Sequence, residues 1–120
     1  MTATRPLRGL SILIIDDDRL GAFRLHRALA RAGARVATGD LAVAEPYLGA
    51  AALAAVIVSA DLNAADAGAL APKLAACPAP WIVYGDGVPS ALPVPRARVA
   101  RDDMSMLIET LAALCAPRRH

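Results

Sequence analysis

Apolar positions along this chain follow two different spacings, and their alternation predicts the secondary structure. Short continuous apolar runs rich in β-branched residues predict buried strands. Apolar residues three or four positions apart predict helices with one buried face. The runs that predict strands are Ser11–Ile15, Arg35–Thr38, Val56–Ser59, Trp81–Tyr84 and Arg98–Ala100.

Helical spacing occupies most of the chain between these runs. The predicted helices cover Leu20–Ala32, Asp40 to about Ala51, Ala64–Ala76 and a last segment capped by Asp102 and Asp103. Pro46 lies within the second helix, which is therefore either kinked there or begins near that proline. Residues 85–95 contain two glycines and three prolines. That composition predicts a loop with little room for a helix between the fourth and fifth strands.

Strands separated by helices predict an α/β domain with a doubly wound parallel sheet, right-handed crossovers and helices on both faces. The chain has 120 residues, of which 57% are hydrophobic, as expected for one globular domain. We expect that domain to span residues 1–120, with a core from about 8 to 115. Ligands of such sheets bind beyond the carboxyl ends of the strands. The residues that follow the strands are therefore the candidates for chemistry.

Charge and hydropathy exclude several classes of function. The net charge is +2, without the concentrated basic stripe of a nucleic-acid-binding domain. The longest run without a charged residue, Pro46–Ala60, is shorter than the roughly 20 residues that span a bilayer. The first residues lack the apolar segment of a secretory signal, and Cys77 and Cys115 have no metal-binding or disulfide spacing. We expect a cytoplasmic protein that binds neither nucleic acid nor membrane.

Carboxylates follow two of the strongest predicted strands. Asp16 and Asp17 come directly after the first strand, and Asp61 follows the third. If both strands are central and parallel, these three side chains converge, and their like charges call for a cation. Oxygen ligands at a water-accessible edge suit Mg²⁺, beside which a carboxylate can attack a phosphoryl group. The simpler interpretation is that Asp17 or Asp18 only caps the first helix.

The stretch ILIIDDDRL resembles the opening of CheY-like response-regulator receiver domains, in which a strand ends in an acidic pair. Asp61 lies 44 residues after Asp17, about the family's spacing between the acidic pair and the phosphoacceptor. The resemblance implies that Asp16, Asp17 and Asp61 bind Mg²⁺ and that Asp61 accepts a phosphoryl group. It implies a metal-binding backbone carbonyl at Asn63, whose side chain needs no role. It also implies a five-stranded sheet in the flavodoxin-like order 2-1-3-4-5, here with a reduced fourth helix.

Four departures from the family pattern affect the parts that respond to phosphorylation. The first is Gly85, which stands where the family has Thr or Ser, and the second is Arg101-Asp102, which replaces its Lys-Pro pair. Arg98 occupies the place of the aromatic switch residue. The fourth departure is the shortened connection between strands four and five. Two functions therefore remain open: a working phosphoacceptor with an unusual output, or a pseudo-receiver acting as a phosphorylation-independent protein-interaction module.

The resemblance also implies partners. These are a histidine kinase or histidine phosphotransfer protein, and a separate downstream effector protein, with the chain a monomer or weak homodimer. Arg24, Arg27 and Arg31 share one face of the first helix, which receivers commonly present to such partners. No enzyme activity is expected beyond slow self-dephosphorylation. Asp16-x-Asp18 also resembles the first motif of haloacid-dehalogenase-like phosphatases, but the chain length and the single lysine, Lys73, argue against that class.

Overall fold

The computed structural model describes residues 6–40, 42, 45–48, 53–87, 89 and 91–115. The strands are β1 (Ser11–Ile15), β2 (Arg35–Gly39), β3 (Leu53–Ser59), β4 (Trp81–Tyr84) and β5 (Ala97–Val99). The helices are α1 (Arg19–Arg31), α2 (Ala64–Ala76) and α3 (Met104–Cys115), with a short 3₁₀ helix at Glu45–Tyr47. All five predicted strands are confirmed, although β3 begins three residues earlier than predicted and β5 lies one residue earlier.

The five strands form one parallel sheet in the order β2-β1-β3-β4-β5. The predicted order is confirmed. Burial explains the arrangement, because β1 and β3 are runs of buried aliphatic residues that need cover on both faces. No residue of the edge strand β2 is fully buried.

Two hydrophobic clusters fill the two faces of the sheet. Alternate residues of a strand point to opposite faces, so Ile12 and Ile14 enter one cluster while Leu13 and Ile15 enter the other. The first cluster includes residues of α1 and α3, among them Leu25, Leu29, Leu107 and Leu111. The second includes residues of α2, among them Ala67, Leu70 and Leu74. The predicted two-sided core is confirmed.

Helices α1 and α3 each begin at a capping side chain. The Asp18 carboxylate accepts a hydrogen bond from the Leu20 amide at 3.1 Å, which makes Asp18 the N-cap of α1. At α3, the Asp103 carboxylate accepts from the Met106 amide at 3.1 Å. The capping interpretation of the carboxylates after β1 therefore holds for Asp18 and leaves Asp16 and Asp17 to be explained.

Proline affected the prediction for two of the segments that join strands: the one between β2 and β3 and the one between β4 and β5. Much of the helix predicted from Asp40 to about Ala51 lies outside the described residues, but Pro46 is found within the 3₁₀ helix. Between β4 and β5 the described residues, which omit 88 and 90, contain no helix, as predicted. Leu92 of that connection is buried in the second cluster.

Within the described ranges, no helix has both the length and the apolar character to cross a membrane.

Candidate functional site

The carboxyl ends of β1 and β3 bring Asp16 and Asp61 to the same edge of the sheet. The two strands are hydrogen-bonded neighbours, with Ile15 paired to Val58. Asp16 is half-buried, and desolvation is the main reason that its pKa is raised. The charges of Asp18, Asp17 and Asp61 raise it further, whereas a 2.9 Å hydrogen bond from the Asp18 amide lowers it. Asp16 therefore shares one acidic region with Asp61.

Asp17 lies at the same edge but faces the beginning of α2. The Asn63 side-chain amide donates a hydrogen bond to its carboxylate, with 3.4 Å between Nδ2 and Oδ2. The pKa of Asp17 is raised, first by desolvation and then by the Asp66 and Asp40 carboxylates. Asp17 therefore adds its charge to the region of Asp16 and also accepts a hydrogen bond from the beginning of α2.

Asn63 is the N-cap of α2. Its Oδ1 accepts from the Asp66 amide at 2.8 Å, and its Nδ2 donates to the Asp66 carboxylate at 2.9 Å. This side chain, for which the resemblance implies no necessary role, therefore caps the helix. Its backbone carbonyl accepts from the Ala67 amide at 2.9 Å, the first hydrogen bond of the helix. A carbonyl oxygen has a second lone pair, so its role as a metal ligand stays a prediction.

Asp61, the predicted phosphoacceptor, forms an ion pair with Arg101. The guanidinium Nη2 donates to Asp61 Oδ2, and the hydrogen bond and charge of that carboxylate raise the pKa of Arg101. Both side chains remain open to water, at 62% exposure for Asp61 and 42% for Arg101. The arginine that follows β5 therefore supplies a cation to the carboxylate that follows β3, across the end of β4.

The backbone of Asp61 is held by a residue that sequence reasoning missed. Ser59 is buried at the end of β3, and its hydroxyl accepts from the Asp61 amide at 3.1 Å. The sequence could have indicated this contact, because serine hydroxyls commonly bond an amide two residues further along the chain. Ser59 ends an apolar strand two residues before Asp61.

Gly85 occupies a position with no space for a larger residue. It follows β4 with φ of +125°, a conformation that strongly favours glycine. An added Cβ would lie 2.9 Å from the Ala60 Cβ and 3.4 Å from Arg101 Nη2. Gly85 therefore has no hydroxyl where the resemblance implies a Thr or Ser, and the guanidinium of Arg101 lies beside it.

The side chains at this edge fit Mg²⁺ in chemistry, because they are oxygen donors whose mutual repulsion a cation would relieve. They are not gathered into a complete ligand set. Across the described residues, no group of three or more His, Cys, Asp and Glu side chains is arranged to hold a metal ion. Mg²⁺ uses few protein carboxylates and keeps several waters, so its binding by Asp16, Asp17 and Asp61 stays a prediction.

Comparison with known proteins finds similarity in three dimensions. No model of a protein family matches the sequence, and none of the curated proteins is significantly similar. A CheY-like response regulator receiver domain protein from Methanospirillum hungatei JF-1 superposes with a TM-score of 0.72 at 14% identity, covering 90% of this chain and 95% of that one. A response regulator from Thermotoga maritima gives 0.71 at 14% identity, covering 90% and 98%. This chain therefore has the fold of the CheY-like response-regulator receiver domains.

Proposed function

We propose that this chain is a cytoplasmic receiver module of two-component signalling. In this proposal Asp61 accepts a phosphoryl group, and the phosphorylated module signals through protein–protein contacts. The observation that carries the proposal is the ion pair of a solvent-open Asp61 with Arg101, beside the half-buried Asp16. Phosphoryl transfer needs an accessible nucleophile, together with cations that stabilise the transferring oxygens. Asp61 and Arg101 are suited to these two roles.

In the proposed step, an Asp61 carboxylate oxygen attacks the phosphorus of a phosphohistidine. An oxygen–phosphorus bond forms while the phosphorus–nitrogen bond breaks, and the electron pair of the broken bond returns to the ring nitrogen of the donor, which leaves as a neutral imidazole because its other nitrogen is protonated. Arg101, which is paired with Asp61, would neutralise charge on the phosphoryl oxygens. Mg²⁺, when bound by Asp16 and Asp61, would offset charge on the same oxygens. The module is a signalling domain rather than an enzyme, with at most slow hydrolysis of its own acyl phosphate.

The proposed donor, a histidine kinase or histidine phosphotransfer protein, would dock on α1. Leu20 and Phe23, in the first turns of that helix, are 62% and 60% exposed, and Arg24 and Arg27 are exposed beside them. An exposed apolar pair flanked by arginines is typical of a protein-binding surface. This face adjoins the edge that carries Asp16, so docking here would bring a phosphohistidine towards Asp61. A separate effector protein would receive the output.

Two observations favour a second candidate, the phosphorylation-independent interaction module. Gly85 supplies no hydroxyl for a phosphoryl oxygen, and the tight contact with Ala60 opposes a larger residue there. Asp17 is hydrogen-bonded to Asn63, and the described residues contain no group of three or more His, Cys, Asp and Glu side chains arranged to hold a metal ion. In this alternative the acidic edge is a surface feature, and the signal enters through a partner protein.

One experiment separates the two candidates. The protein is incubated with Mg²⁺ and acetyl phosphate, and the intact mass is followed over time. A gain of one phosphoryl group that disappears in Asp61→Asn, and persists in the control Glu109→Gln on the exposed side of α3, supports the phosphoacceptor. An unchanged mass in the wild-type protein at millimolar Mg²⁺ supports the interaction module.

A further inference from the structure

Tyr84, the last residue of β4, is hydrogen-bonded to both neighbours of the Asp61–Arg101 pair. Its backbone carbonyl accepts from the amide of Ala60, the residue before Asp61, at 3.0 Å. Its hydroxyl oxygen accepts from the amide of Asp102, the residue after Arg101, at 2.9 Å. A single residue thus connects the segment that carries the carboxylate to the segment that carries the cation.

The turn that carries Arg101 has an unusual backbone. The Asp103 amide donates to the Ala100 carbonyl at 3.2 Å, which closes a four-residue turn with Arg101 and Asp102 at its centre. Asp102 has φ of +66°, the left-handed region that few non-glycine residues adopt. The bond that closes this turn does not use the Asp102 amide, which is therefore available to donate to an acceptor outside the turn. The Tyr84 hydroxyl is that acceptor.

The side chain of Tyr84 is anchored as well. It is partly buried and packs against the cluster that contains Ile82 and Val99. The next residue, Gly85, donates its amide to the Val99 carbonyl at 2.9 Å and leaves open the space beside Arg101 Nη2. The hydroxyl is therefore presented from a fixed ring, on a backbone bonded to strands on both sides.

We infer that Tyr84 is a positioning residue, whose hydroxyl holds the Ala100–Asp103 turn in the conformation that sets the Arg101 guanidinium against Asp61. The positioning itself is a property of the unmodified protein. Its consequence for phosphoryl acceptance rests on the proposed function. The two parts are therefore tested by different measurements.

The first measurement follows the Arg101 guanidinium by nitrogen-15 NMR in the full chain. Its side-chain signals are assigned by their loss in Arg101→Lys. Pairing with Asp61 restricts rotation, so we expect separate Nη–H signals in the wild-type protein. In Tyr84→Phe we expect them to merge towards the average of the exposed arginines. Tyr84→Phe keeps the packed ring, and Tyr47→Phe, at the half-exposed tyrosine of the 3₁₀ helix, is the matched control. Arg101 signals in Tyr84→Phe identical to those of the wild type would overturn the inference.

The second measurement is the affinity for beryllofluoride with Mg²⁺, a mimic of the phosphorylated aspartate. Tyr84→Phe should weaken binding about two- to tenfold, the change expected from loss of one hydrogen bond between uncharged groups. Since the hydroxyl acts through Arg101, the same substitution should cause no further loss in an Arg101→Ala background. Effects that add in full in the double variant would mean that Tyr84 acts elsewhere. If the wild-type protein does not bind beryllofluoride, the proposed function fails, and the guanidinium signals still decide the positioning role.

Discussion

The site has two halves that differ in how they are built. The acidic half, Asp16, Asp17 and Asp61 at the ends of β1 and β3, carries carboxylates where the resemblance to receiver domains implies them. The cationic half, Gly85 after β4 and Arg101 after β5, carries two residues that the resemblance does not imply.

The two unusual residues of the cationic half fit one another. Arginine has a larger head group than lysine, and glycine is smaller than threonine or serine. In the structure, the guanidinium lies 3.4 Å from the point where a Gly85 Cβ would stand. The absent side chain at Gly85 and the larger head group of Arg101 are therefore complementary in volume, whereas the acidic half carries the carboxylates that the resemblance implies.

Removing the cation should have the largest effect on function. If Arg101 neutralises the phosphoryl oxygens, Arg101→Ala should slow phosphorylation of Asp61 by acetyl phosphate roughly tenfold to hundredfold, less than in a buried anion site because water screens the charge. The rate is measured from the intact mass over time. Arg101→Lys keeps the charge and should lose less, although it cannot reproduce the planar donor geometry. An unchanged rate in Arg101→Ala would contradict the proposed role of Arg101, because the cationic half would then contribute nothing to phosphoryl transfer.

Filling the space at Gly85 should have the next largest effect, on stability. Gly85→Ala should lower the free energy of unfolding by about 2 kcal/mol or more, because it combines an unfavourable φ with the 2.9 Å approach to Ala60. Gly87→Ala is the matched control. Gly87 also has a positive φ, of +86°, but a Cβ there would meet nothing within 4 Å. Urea unfolding of both variants measures the difference. Equal losses would mean that backbone conformation alone, rather than crowding against Ala60, sets the requirement for glycine.

The acidic half depends on the helix cap at Asn63. Asn63→Ala should cost about 1 kcal/mol of stability, because the Asp66 amide loses its acceptor. Asn63→Ser keeps an acceptor oxygen and should lose less, although it removes the donor to Asp17. Thermal unfolding of the two variants checks the order. If serine destabilises as much as alanine, the hydrogen bonds that Asn63 Nδ2 donates contribute more to stability than the one that Oδ1 accepts from the Asp66 amide.

The smallest expected effect is the pH dependence of stability at Asp16. Its pKa is raised in the folded protein, mainly by desolvation, so the folded state binds the proton more tightly than the unfolded state. The stabilisation from this group is thus present in acid and is lost as the pH rises from the ordinary pKa of an aspartate, about 4, through the raised pKa. Asp16→Asn should therefore stabilise the protein at neutral pH, and the gain should disappear below about pH 4. Chemical unfolding at several pH values tests this, with Glu109→Gln as the control. A gain that is independent of pH would contradict it.

Much of the fold follows from local pattern. Continuous apolar runs such as those of β1 and β3 predict central strands, and the ends of neighbouring parallel strands must meet at one edge. That reasoning predicts that Asp16, Asp17 and Asp61 lie at one edge of the sheet. The sequence also predicted little room for a helix between β4 and β5, because glycine and proline oppose one there, and the described residues of that connection contain none.

The contacts that orient the site could not be predicted in the same way. Asn63 reaches Asp17 from 46 residues away, Arg101 reaches Asp61 from 40, and Tyr84 reaches the Asp102 amide from 18. Such contacts depend on side-chain conformation and on turn geometry such as the positive φ of Asp102. Neither leaves a periodic signal in the sequence.

The central claim is that Asp61 and Arg101 together form a site for a phosphoryl group. The most direct test is a titration of the wild-type protein with beryllofluoride and Mg²⁺, followed by the NMR signals of Asp16, Asp61, Gly85 and Arg101. The account predicts saturable shifts centred on Asp61 and including the Arg101 guanidinium, absent from Asp61→Asn. Spectra that do not change up to millimolar Mg²⁺ and beryllofluoride, or that change without involving Asp61 and Arg101, would contradict it.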